Sequence, residues 1–140
     1  MTAMNHDQFA AYMLKLAQPA PAFVPTASYD ADGDCIEFLI APDPFYAERV
    51  DDLVTVYYSQ DTHEIIGSLL KGVSGFCRHM SEKMPGFKIE ILDGSVKLEH
   101  IFLAQLWATE AQPNSIKTLT YRKLIAIAEA NEATATFACV

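Results

Sequence analysis

The residues able to do chemistry are few and scattered. Asp30, Asp32 and Asp34 stand at alternate positions, the spacing with which a calcium-binding EF-hand loop opens. Such a loop needs glycine at its sixth position and glutamate at its twelfth, where this chain has Cys35 and Ala41. An acidic hairpin turn is the expectation, without calcium. The four histidines, His6, His63, His79 and His100, show no HxH or HExxH spacing, so no metal centre is expected. Cys77 and His79 lie two residues apart on an expected helix, about 200° around its axis, and cannot readily share a proton or a metal. Asp61, His63 and Glu64 fall together in one loop, residue types that can supply a base and its orienting group. Loops between strands commonly hold such residues, and no catalytic role is assigned to them. The GxSxG, GxxxxGK and GxGxxG signatures are absent, so no cofactor is expected either.

Charge narrows the partners. The chain of 140 residues has a formal charge of −8. From Asp30 to Glu64 there are ten acids against Arg49 alone, so this segment holds all of the surplus. Nucleic-acid binding needs Lys and Arg opposite phosphates and is excluded as an expectation. A solvated acidic face, favouring a basic protein partner, is read instead. No apolar run approaches the roughly 20 residues of a membrane span. The longest uncharged stretch, Leu16 to Tyr29, is broken by Pro19, Pro21 and Pro25. The first basic residue is Lys15, so no secretory signal is read and a cytoplasmic location is expected. Cys35, Cys77 and Cys139 form no CxxC pair and sit among apolar neighbours, as buried free thiols do.

The elements that position these residues follow from hydrophobic periodicity. A 51% hydrophobic chain of this length suits one domain with a real core. Asn5 and Gln8 form a capping box, with Met4 able to staple onto Phe9, for a helix over 5–17 whose apolar face is Phe9, Tyr12, Met13 and Leu16. A proline connector covers 18–26. From 28 to 71 the period becomes two: Asp32-Gly33 and Asp51-Asp52 mark hairpin turns, and an antiparallel meander of four to six strands is expected. Adjacent Tyr57 and Tyr58 must face opposite sides of a strand, one towards the core and one outward. Residues 73–140 read as a helical part with a small β element. It comprises a helix over 73–84 with Ser74 as a candidate cap, a strand at 87–91, a return strand at 95–98, a helix over 99–112 apolar on most sides and so buried against several neighbours, a helix capped by Thr118 or Thr120 and ending near Asn131, and an edge strand at 135–140. The architecture is α+β, with an N-terminal helix and two to three C-terminal helices packed on one face of the sheet.

Residues 28–74 carry a family resemblance. Tyr29-Asp30, Asp34–Phe38, Asp51–Val56 and Ile65-Ile66-Gly67 follow the order of a Tyr-Asp start, an Asp-led strand, a Val-rich strand and an Ile-x-Gly strand. In this the stretch resembles the YuzE-like bacterial domains of unknown function. The resemblance implies a strand meander and names no catalytic residues. An antitoxin-like role follows by analogy alone.

The functional expectation is a non-enzymatic interaction domain, a homo-oligomer joined through a sheet edge or helix face, or a binder of a basic protein. Its surface is read as Asp51, Asp52, Tyr57, Asp61, His63 and Glu64. The alternative is a small enzyme or ligand-binding protein, with a pocket between the sheet and the helices at 73–84 and 99–112. His79, His100, Asp61 or His63 would stand at its mouth.

Overall fold

The computed structural model describes residues 5–16, 23–83, 94–110 and 112–136. Helix α1 (His6–Leu16) begins at the expected capping box: Gln8 N donates to Asn5 Oδ1 at 2.8 Å, and Asn5 N donates to Gln8 Oε1 at 3.1 Å. Phe9 and Met13 remain about half exposed, so this face is not sealed against the core. The Met4 staple, most of the proline connector and the strand expected at 87–91 lie outside the described residues.

Strands β1 (Thr26–Asp30), β2 (Cys35–Leu39), β3 (Phe45–Arg49), β4 (Val54–Ser59) and β5 (Ile65–Lys71) form one antiparallel sheet in the order β1-β2-β5-β4-β3. The α+β architecture and the five strands are as expected, but the order is not that of a continuous meander. Only β3-β4-β5 zigzags. Strand β5 then pairs with β2, so the link from β2 to β3 must pass the ends of both β5 and β4. Three interstrand steps amount to about 14 Å. From Leu39 to Phe45 the link can reach about 20 Å when extended, so residues 40–44 make the crossing with some slack, and Pro42 and Pro44 restrict its backbone. Ile40 N donates to the Ile66 carbonyl and Gln60 N to the Pro44 carbonyl, each at 2.8 Å, which pins the link to the strands it crosses.

One face of the sheet is apolar: Ile36, Phe38, Val54, Val56 and Leu70 are all at most 1% exposed. Helices α2 (Val73–Lys83), α3 (Leu98–Ala108) and α4 (Ile116–Ala130) cover it with Val73, Cys77, Ile101, Phe102, Tyr121 and Leu124. The opposite face carries exposed Glu37, Ala47 and Arg49. Strands β6 (Ser95–Lys97) and β7 (Thr134–Thr136) pair as a separate ribbon, with β7 beside β1. Among the described residues no helix is long and apolar enough to cross a membrane.

Three local expectations are corrected. Helix α2 is capped from outside its own neighbourhood: the Asp34 carboxylate accepts Ser74 N at 3.0 Å and Ser74 Oγ–H at 2.8 Å, while Tyr29 O–H braces it at 2.6 Å. Held there, Asp34 rather than Gly33 takes the left-handed backbone of the β1–β2 turn, with φ 48°. Helix α4 starts earlier than expected because Ser115 Oγ accepts Thr118 N at 3.1 Å, an N-cap three residues before the threonine read as one. Helix α3 is not buried all round: Leu103 and Trp107 are 55% and 69% exposed. A single helical layer has only one face to give to a sheet, whatever the composition of the other.

Candidate functional site

Asp51 is not a surface acid. It lies in the β3–β4 turn, where Oδ1 accepts the amides of Leu53 and Val54, each at 2.9 Å, and so shapes the turn. Its other oxygen, Oδ2, accepts Tyr121 O–H at 2.5 Å and Gln105 Nε2–H at 3.3 Å, and pairs with Lys117 Nζ at 3.3 Å. One carboxylate thus ties the sheet to both α3 and α4. Burial alone would raise its pKa. The Tyr121 hydroxyl, the Val54 amide, Gln105 and Lys117 together outweigh burial and hold it below the ordinary carboxylate value. Burial, followed by the same Asp51 contact, pushes the fully buried Tyr121 hydroxyl far upward.

Tyr57 is also inside, at 5% exposure. Its cross-strand partner is Gly67, which offers no side chain to compete for space, and Phe45 stacks on it with ring centroids 4.2 Å apart. The Tyr57 hydroxyl donates to Glu37 Oε2 at 3.2 Å, and burial followed by that charge pushes its pKa up to about 12. Tyr58, on the helix side, is only half-buried. Neither tyrosine is the outward one that alternation predicted, because Phe45 covers one side of β4 and α4 the other.

The remaining four residues of the expected surface, Asp52, Asp61, His63 and Glu64, are exposed. They do not form one patch. Asp52 sits with Asp30 and Asp32 at the end of the sheet where β5 ends, whereas Asp61, His63 and Glu64 occupy the β4–β5 loop at the other. Strand pairing therefore divides the acids that lie close in sequence. His63 Nδ1 lies 3.4 Å from the Tyr46 hydroxyl, and neither Asp61 nor Glu64 is hydrogen-bonded to it. With Tyr58, Ile65, Lys123 and Ile127, His63 and Glu64 line a shallow cleft of about 380 Å³ beside α4. Asp30 and Asp34 are engaged separately, Asp30 in accepting Asp32 N and Asp34 in capping α2. Among the described residues no three His, Cys, Asp or Glu side chains converge as a metal site.

A larger concavity lies elsewhere. A groove of about 900 Å³ opens on the solvent side of the helices, not between them and the sheet where the ligand-binding alternative would put it. Its floor and walls are Met80 of α2, Leu103, Leu106 and Trp107 of α3, and Thr118 of α4. Exposed His79, Lys83, Glu110 and Arg122 stand around it. Of the histidines proposed for a pocket mouth, this groove holds only His79. Ile116 and Leu119 stand exposed on the adjoining helix. The expected burial of the helix over 99–112 against several neighbours does not extend to Leu103 and Trp107. The signal that marks them is the apolar character of α3 on every side, more than one sheet face can absorb.

Compared with protein-family models, with curated proteins and with solved structures, the chain matches none.

Proposed function

We propose that this chain is a protein-interaction domain whose contact surface is the groove formed by α2, α3 and α4. The observation that carries the reading is the exposure of Trp107 (69%) and Leu103 (55%), one turn apart on α3, in a groove of about 900 Å³. Exposed aromatic and aliphatic side chains in a groove are what an interface anchors on, and leaving them in water is unfavourable. An apolar floor between charged rim residues suits the apolar face of an amphipathic helix of another protein.

Charge selects which helix. Lys83 and Arg122 outnumber Glu110 at the rim, on a chain whose formal charge is −8. An acidic helix is attracted there, whereas a second groove would bring like cations together. The basic partner expected from composition has no single face to meet, since the acids lie at two ends of the sheet.

Trp107 is the chain's one tryptophan, so its emission reports the groove directly. Titration with a helical peptide of leucine and glutamate repeats is expected to shift that emission to the blue, less so at high salt, and not at all in Leu103→Asp with unchanged circular dichroism. Equal binding of the leucine and lysine counterpart would refute the reading. So would a Trp107 already inaccessible to acrylamide in the free chain.

A further inference from the structure

We propose that β3 is a self-pairing edge, through which two copies of this chain join antiparallel around a twofold axis at Ala47. The surface is separate from the helical groove and rests on different observations.

The first is the phase of the backbone hydrogen bonds. Gln60 N donates to the Pro44 carbonyl and Val50 N to the Val54 carbonyl, and β3 pairs with β4 in one unbroken register between them. Bonded and non-bonded positions alternate along an antiparallel ladder. Tyr46, Glu48 and Val50 therefore direct their amides and carbonyls to β4, and Phe45, Ala47 and Arg49 direct theirs to the open side. Gln60 Nε2 reaches the Phe45 carbonyl at 3.4 Å. Among the described residues the amides of Phe45, Ala47 and Arg49, with the carbonyls of Ala47 and Arg49, remain for another strand. All of β3 is exposed.

The second is the self-complementarity of Phe-Tyr-Ala-Glu-Arg. With the axis at Ala47, Phe45 lies opposite Arg49 of the partner copy, and Tyr46 lies opposite Glu48 of the partner copy. Ala47, the smallest of the five, meets its own image. Moving the axis to Glu48 opposes two carboxylates directly, and moving it to Arg49 opposes two guanidinium groups, both unfavourable. Moving it towards Pro44 shortens the overlap and brings in a residue with no donor. The Ala47 register alone uses the whole strand without opposing like charges. It also carries the Arg49 guanidinium of the partner copy over the Phe45 ring, which Tyr57 already supports from behind. Arg49 now donates from Nε to the Asp51 carbonyl and pairs with Asp52, each at 3.2 Å, and both contacts are solvent-exposed and hold it only weakly.

The third is closure. Pro42 and Pro44 bound the free edge on one side and the Asp51-Asp52 turn on the other, while the opposite edge, β1, has β7 beside it. A twofold contact uses the β3 edge of each copy against that of the other, so this pairing closes at two chains and does not propagate. The mode is strand addition, with side-chain pairs setting the register.

Sedimentation equilibrium of the full chain, over a wide concentration range and at two salt concentrations, tests this. A monomer–dimer equilibrium is expected, and salt strengthens it by screening two chains of charge −8, the opposite of its effect at the groove. Ala47→Pro removes an amide that points away from β4, and Ala47→Glu sets two carboxylates face to face on the axis. Each is expected to weaken dimerisation tenfold or more, with far-UV circular dichroism and thermal midpoint unchanged in Ala47→Glu, which decides the matter if the proline variant misfolds. A chain monomeric throughout, or a dimer that survives Ala47→Glu and is lost in Leu103→Asp, overturns the proposal.

Discussion

Replacing Asp51 by alanine removes a side chain that joins the sheet to two helices. The magnitude can be worked from its partners. The Asp51 side chain is 13% exposed and Tyr121 is fully buried, so water cannot replace what the phenol loses. An unpaired buried hydroxyl costs about 1–3 kcal/mol, and hydrogen bonds to a charged acceptor are each worth about 1.5–3 kcal/mol. The amides of Leu53 and Val54 regain part of theirs by rehydration at the turn, and Lys117 can turn to solvent. A net loss of about 3–5 kcal/mol follows, a large fraction of the roughly 5–15 kcal/mol that stabilises a domain. Guanidinium denaturation of Asp51→Ala measures it directly. Because the two groups share one hydrogen bond, Tyr121→Phe should cost about 1–2 kcal/mol alone and much less in the Asp51→Ala background.

The pH dependence has a definite sign. Asp51 titrates lower in the folded chain than in the unfolded one, so its contribution is complete above the unfolded value, about 3.9, and fades as pH falls through the depressed folded value. Wild type should lose stability below pH about 4 more steeply than Asp51→Ala. A variant that loses less than about 1 kcal/mol, or strict additivity with Tyr121→Phe, would refute the tether.

Other outcomes follow from single contacts. Gly67→Ala places a methyl carbon 2.1 Å from the Phe38 carbonyl oxygen, in the central strand of the sheet. Since backbone must move, a loss of about 3 kcal/mol or more is expected, read as a lowered thermal midpoint or failure to fold cooperatively. Asp34→Ala removes the remote cap of α2 and should cost about 1–2 kcal/mol in denaturation, and Asp34→Asn, which keeps an acceptor, should cost less. Ser115→Ala should cost about 1 kcal/mol and increase amide exchange at Thr118, the donor released.

The legible part of this protein is the part that local patterns decide. Alternation from 28 to 71 marks the strands to within about two residues of their ends, and the Asn5–Gln8 box marks the start of α1, because period and capping are set by neighbours in the chain. The Ser115 cap of α4 is equally local, three residues from Thr118, whereas the partners of Asp34 and Asp51 are distant. Asp34 and Ser74 stand forty residues apart, and Asp51 and Tyr121 seventy. No spacing rule connects them. A turn-forming aspartate looks the same whether its second oxygen faces water or a buried phenol.

The candidate surfaces divide in the same way. That Trp107 and Leu103 are apolar is plain from the chain, but their exposure depends on how many sides of α3 the sheet can cover. Phe45 to Arg49 reads as a strand from its residues alone. Its place at the edge follows from β5 entering between β2 and β4, a choice made by hydrogen-bond register and by the two prolines of the crossing link. Amino-acid order determined which segments are strands and helices and where the acids lie. Tertiary pairing determined which acids bind inward, which edge stays open and which apolar side chains are left facing water, because burial is a property of the partner as much as of the residue.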